Sequence, residues 1–139
     1  TTYVLDALNI LRHRNQGETE DFLNGQKLRS AVQHYAPHHR VLVFAPRLDD
    51  KYTPMLTKII QDAGPESSIV TTPAGQNDDK FMIATVQMEL RDGARVKLVT
   101  NDRLRDHAGI DEKWVRSNAV KFAFAAGRFV PDELEEVYQ

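Results

Sequence analysis

Short β-prone runs alternate with amphipathic stretches along nearly the whole chain, and that alternation leaves few architectures open. Tyr3-Val4-Leu5-Asp6 stops at a carboxylate, and Arg40-Val41-Leu42-Val43-Phe44-Ala45-Pro46 is closed by proline. Both are continuous apolar runs, the pattern of strands buried on two faces in a parallel sheet. Ser68 to Pro73 and Arg95 to Thr100 read as a third and a fourth strand, and Val120 to Phe124 as a fifth whose residues alternate as at a sheet edge. Between them, Gln26 to Tyr35 carries Leu28, Ala31, Val32 and Tyr35 on one helical face, and Thr53 to Ala63 carries Met55, Leu56, Ile59 and Ile60. Asp78 to Arg91 does the same with Met82, Ile83, Val86 and Leu90, and Pro37, Gly64 and Gly93 supply the stops. Such a βαβ series predicts an α/β fold, a central parallel five-stranded sheet with helices on both faces.

A length of 139 residues predicts one domain, spanning 1–139, and a chain of that size buries roughly two-thirds of the surface it exposes when unfolded. There is no cysteine, which excludes a disulfide framework, a thiolate zinc site and a cysteine nucleophile within this stretch. Apolar residues make up 41% of the chain, and none of the runs approaches the roughly 20 apolar residues that span a bilayer, so no membrane partner is expected. The start Thr1-Thr2-Tyr3-Val4 has neither an initiator Met nor a basic-then-apolar leader, which predicts a processed product or a domain excised from a longer chain. These features together point to an intracellular setting, with the compartment open.

Acidic residues sit where the apolar runs give way. Asp6, with Asn9, ends the first strand; Asp78-Asp79 begins the helix between the third and fourth; Asp102 and Asp106 follow the fourth. In open parallel sheets ligands gather outside the carboxyl ends of the strands, where strand order reverses. If the first and fourth strands are neighbours, Asp6 and Asp102 meet, and a helical turn would stack Asp102 and Asp106 on one face. A set of hard oxygen donors of this kind suits Mg²⁺ or Mn²⁺ and points to phosphoryl chemistry. Taken singly, Asp78-Asp79 also reads as helix-dipole pairing and Asn101-Asp102 as a helix cap. Asp6 is different, because a carboxylate directly after a buried strand is costly to desolvate unless paired or metal-bound.

Eighteen basic against 20 acidic side chains leave a formal charge of −2, so the whole molecule exerts no general attraction on nucleic acid. Local cations must supply any grip on phosphate. Arg47 and Lys51 follow the second strand, Arg12 and Arg14 sit with His13 in a loop after Asn9, Lys80 adjoins the acidic pair, and Arg103 and Arg105 flank Asp102. Lys80 reads equally as a phosphate contact or a carboxylate partner, and Arg103 as phosphate clamp or ion-pair partner. His38-His39 reads as a turn pair, and His107 as a lesser acid or base candidate. Trp114 and the set Phe122, Phe124 and Phe129 read as core rather than as base-stacking platforms, because small apolar residues separate them.

Four blocks then carry a resemblance: Tyr3-Val4-Leu5-Asp6-Ala7-Leu8-Asn9, Asn77-Asp78-Asp79-Lys80-Phe81, Leu98-Val99-Thr100-Asn101-Asp102-Arg103-Leu104-Arg105-Asp106, and Phe129-Val130-Pro131-Asp132. In this order and spacing the chain resembles the NYN ribonucleases of the PIN-like superfamily, in particular the Regnase-like branch. The resemblance implies a Rossmann-like PIN fold with strand order 3-2-1-4-5 and Mg²⁺- or Mn²⁺-dependent endonucleolytic cleavage of single-stranded or stem-loop RNA. It implies that Asp6, Asp78, Asp79, Asp102 and Asp106 form the acidic cluster, with Asp6, Asp79, Asp102 and Asp106 as metal ligands and Asn9 as polar companion of Asp6. RNA is then the expected partner, together with a second copy of the chain or neighbouring domains. A catalytically weak RNA-binding or assembly module on the same fold is the competing expectation. Two departures bear on it: Ala7 stands where the family has a small Gly, and Ala74-Gly75-Gln76-Asn77 lacks the basic residues usual before the acidic pair.

Overall fold

The β-prone runs pair in parallel, in the order implied by the resemblance. A computed structural model describes residues 1–15, 17, 18, 25–45, 52–102 and 112–133. Strands β1 (Thr2–Asp6), β2 (Arg40–Ala45), β3 (Ser67–Thr71), β4 (Val96–Val99) and β5 (Ala119–Val120) form one sheet ordered β3-β2-β1-β4-β5. In register, Leu5 lies beside Val43 on one side and Val99 on the other. Helices α1 (Ala7–Arg12), α2 (Gln26–Tyr35), α3 (Thr53–Ala63), α4 (Asp78–Arg91) and α5 (Glu112–Asn118) make the connections.

Alternate residues of the continuous apolar runs feed opposite faces, as the two-residue period of a strand requires. Tyr3, Leu5, Val41, Val43 and Val99 join α1, α2 and α3 through Ile10, Leu11, Leu28, Val32, Leu56 and Ile59. Val4, Leu42, Phe44, Val96 and Leu98 turn the other way, onto Met82 and Val86 of α4, with Trp114 of α5 packed alongside. The division follows from topology. After β3 the chain reverses direction across the sheet to place β4 beside β1, and a right-handed crossover in that sense lays α4 on the second face. The switch point between β1 and β4 is therefore where a cleft opens at the strands' carboxyl ends.

The fifth strand departs from the expectation of one run over Val120 to Phe124. Only Ala119 and Val120 pair with β4; after Lys121 the chain leaves the sheet and forms an antiparallel hairpin, β6 (Phe122–Ala125) with β7 (Arg128–Pro131). The cause is local. The Asn101 side chain takes the Phe122 N–H and C=O, at 3.0 and 3.1 Å, so those groups do not continue the parallel ladder. Phe122, Phe124 and Phe129 are buried against α2, as core residues, and the sheet edge expected at Phe122 is not there. The hairpin closes through Ala126 and Gly127, both with positive φ, +51° and +79°, the backbone of a type I′ turn.

Residues after Asn9 also differ from expectation. Arg12 does not lie in a loop but in the last turn of α1, which the Asp6 carboxylate caps and which buries Ala7, Ile10 and Leu11. Ala7 opens this helix and is fully buried. Among the described residues Ala126 is the non-glycine residue with positive φ, so position 7 makes no use of a glycine's extra freedom.

Candidate active site

Asp6 sits at the hinge between β1 and α1. Its Oδ1 accepts the Asn9 N–H at 3.3 Å, an N-cap bond, and its Oδ2 accepts from the Thr100 hydroxyl at 2.9 Å. Thr100 follows β4 and is 1% exposed; its Oγ1 also accepts the Asp102 N–H at 3.1 Å. One buried hydroxyl thus joins the two carboxylate-bearing segments. A parallel link runs from the Asn101 N–H to Asn9 Oδ1 at 2.8 Å. Both bonds exist because β1 and β4 are neighbours, which places the end of β1 and the chain after Val99 side by side.

The third segment arrives from the other direction. Asn77 caps α4, its Oδ1 accepting the Lys80 N–H at 3.0 Å, and Asp78 and Asp79 fill the first turn, at the positive end of the helix dipole. A cleft forms with Asp6, Asn9, Arg12, Asp78, Asp79 and Asp102 in its walls, together with Asn77. Leu8, Phe44 and Met82 supply its apolar lining.

Burial pushes the Asp6 carboxyl up from 3.8 to about 6. The Thr100 and Asn9 hydrogen bonds oppose the shift, and the nearby charges of Asp79 and Asp102 add to it. An Asp6 carboxylate is thus formed at a cost that a neighbouring positive charge would offset. Carboxylate and amide oxygens are the donors that Mg²⁺ and Mn²⁺ prefer, so the residues present fit such an ion by charge and donor type. Among the described residues, no group of three or more Asp, Glu or His side chains forms a ready cage for a metal ion.

Of the residues singled out in the sequence, Asp6, Asn9, Arg12, Asp78, Asp79 and Asp102 share this cleft. Arg14 and Lys80 are exposed and outside its lining. Asp106, Arg47, Lys51, Arg103, Arg105 and His107 lie outside the described residues. Sequence reasoning passed over Thr100 and took Asn101 for a helix cap. The available signal was their position directly after a buried strand, but the β1-side partners that bring them into the site, Asp6 and Asn9, are 94 and 92 residues away in the chain.

No curated protein matches the chain. A family model described as the Zc3h12a-like ribonuclease NYN domain matches residues 1–137, nearly the whole length. The strand order, the cleft at the β1–β4 switch point and that match converge: the chain belongs to the Zc3h12a-like NYN ribonuclease domain family.

Proposed function

We propose that the cleft is the active site of a divalent-metal-dependent endoribonuclease that hydrolyses phosphodiester bonds in single-stranded or stem-loop RNA. The observation that carries this reading is that Asp6, Asp79 and Asp102, from three separate segments, line one cleft together with Arg12. Asp6, Asp79 and Asp102 would hold Mg²⁺ or Mn²⁺, with Asp106 as a further ligand. Bound there, the ion would make water more acidic and neutralise charge that builds on the phosphate oxygens.

The chain's own groups supply binding and orientation. Arg12 offers the guanidinium in the cleft lining for a non-bridging phosphate oxygen. Asp78, exposed on the first turn of α4, orients the attacking water. Thr100 and Asn9 hold Asp6 and the chain before Asp102 in place before substrate arrives, as preorganised catalysis requires. Water adds in line to phosphorus and the P–O3′ bond breaks, leaving a 3′-hydroxyl on one fragment and a 5′-phosphate on the other. Contacts to phosphate give affinity without base choice.

Labelled single-stranded and stem-loop RNAs, incubated with Mg²⁺, Mn²⁺ or EDTA, test the reading. Internal cleavage with metal, none in EDTA, and a fall of roughly 100-fold or more for Asp78→Asn are expected. Binding of RNA without cleavage would instead support a catalytically weak binding module.

A further inference from the structure

Asn101 is exposed, yet its polar groups are engaged on two sides. Its N–H donates to Asn9 Oδ1 at 2.8 Å, its Nδ2 donates to Phe122 O at 3.1 Å, and its Oδ1 accepts the Phe122 N–H at 3.0 Å. The side chain takes both backbone groups of one residue, as a strand neighbour would. Asp102 comes next in the chain, itself exposed.

What Asn101 holds is firmly seated. The rings of Phe122 and Phe124 lie 5.6 and 5.2 Å from the His13 ring, and Asn15 Nδ2 donates to Phe124 O at 3.1 Å. On the second strand of the hairpin, the Phe129 N–H donates to Ser30 Oγ of α2 at 3.0 Å. All three phenylalanines are buried. The hairpin is a fixed body against which a neighbouring segment can be set.

We propose that Asn101 is a positioning residue, which braces Asp102 against the β6–β7 hairpin and so sets the cation affinity of the cleft without touching the cation. This rests on the reading of the cleft as a divalent-metal site. Groups that orient a ligand from behind govern affinity because a carboxylate left to turn must be ordered when the ion binds. Thr100 fixes the Asp102 backbone from one side; the Asn101 brace fixes the same segment from the other.

Mn²⁺ binding to the purified chain, read from the electron paramagnetic resonance signal of free Mn²⁺, tests the proposal independently of RNA cleavage. Asn101→Ala is expected to weaken Mn²⁺ binding roughly tenfold. Asn15→Ala removes the bond at the other end of β6 and is expected to bind Mn²⁺ as the unmodified chain does. Asn101→Asp separates positioning from charge, and it also carries the test if the alanine variant does not fold. It keeps the acceptor for the Phe122 N–H, loses the donor to Phe122 O, and adds a negative charge that by itself would tighten Mn²⁺ binding. Weaker or equal binding by Asn101→Asp supports the brace, because the added charge alone would tighten it; tighter binding overturns it. Equal losses in Asn101→Ala and Asn15→Ala would also overturn it, as general loosening of the hairpin. If the unmodified chain binds no Mn²⁺, the metal-site reading fails and the proposal with it, whereas binding unchanged in Asn101→Ala defeats the proposal alone.

Discussion

Asp6 serves two demands that pull in opposite directions. As the N-cap of α1 and the acceptor of the Thr100 hydroxyl it is part of the fold, yet its burial opposes the negative charge that the proposed role as a metal ligand requires. The folded pKa of about 6 stands above the unfolded 3.8. The folded form therefore binds more protons between those values, and stability present below pH 3.8 is lost as pH rises through 6. A shift of that size corresponds to about 3 kcal/mol at neutral pH. Asn in place of Asp6 keeps a cap acceptor for the Asn9 N–H and offers the Thr100 hydroxyl an amide donor, with no charge to desolvate. We expect Asp6→Asn, in EDTA at pH 8, to be more stable to urea than the unmodified chain by about 1–3 kcal/mol, the gain shrinking toward pH 4. A variant less stable at pH 8 would show that the capping carboxylate outweighs its desolvation.

At the scale of elements, the β6–β7 hairpin adopts a turn that its local sequence disfavours. A type I′ turn asks for positive φ at both central residues, and Ala126 meets it at +51° with a side chain that disfavours that region. Ala126→Asn should raise the melting temperature by a few degrees, about 0.5–1 kcal/mol, because Asn tolerates this backbone at the first turn position. Ala126→Val should lower it, since a β-branched residue there is strained; equal melting temperatures for the two variants would mean that the turn does not adopt this form in solution. Ala-Gly in place of Asn-Gly is also why the hairpin was not legible in the sequence. The amphipathic helices were: α2, α3 and α4 begin and end at the residues that their stripes and stops indicate. Helix α1 was not, because six residues are too few for a stripe and its start depends on a cap from the preceding strand. Strand β5 was read too long because the group that ends it, Asn101, lies 21 residues earlier. The candidate site shows the same division. Its acidic residues stood out by their places after apolar runs, whereas the Thr100 and Asn101 bridges require knowing that β1 and β4 are adjacent.

At the scale of the molecule, a nearly balanced charge is distributed unevenly. The formal charge is only −2, but the described cleft lining gathers four carboxylates beside the single guanidinium of Arg12. The parallel topology creates this concentration by bringing the ends of β1 and β4 and the start of α4 together at the carboxyl end of the sheet. Such a field disfavours the folded state when all the groups are ionised and favours it when a cation is bound. Protons and divalent ions should therefore compete for the same place. At pH 7.5, Mn²⁺ at about ten times its dissociation constant should stabilise the chain by about 1.4 kcal/mol, a rise of roughly 3–6 °C in melting temperature for a chain of this size. At pH 5, below the Asp6 pKa of about 6, the same Mn²⁺ concentration should give a distinctly smaller rise, because the ion must first displace a proton. Thermal melts at the two pH values, with Mn²⁺ or EDTA, read both effects in one series. A rise that is the same at pH 5 and 7.5, or that survives in Asp6→Asn, would place the ion elsewhere on the surface and separate the charge concentration in the cleft from metal binding.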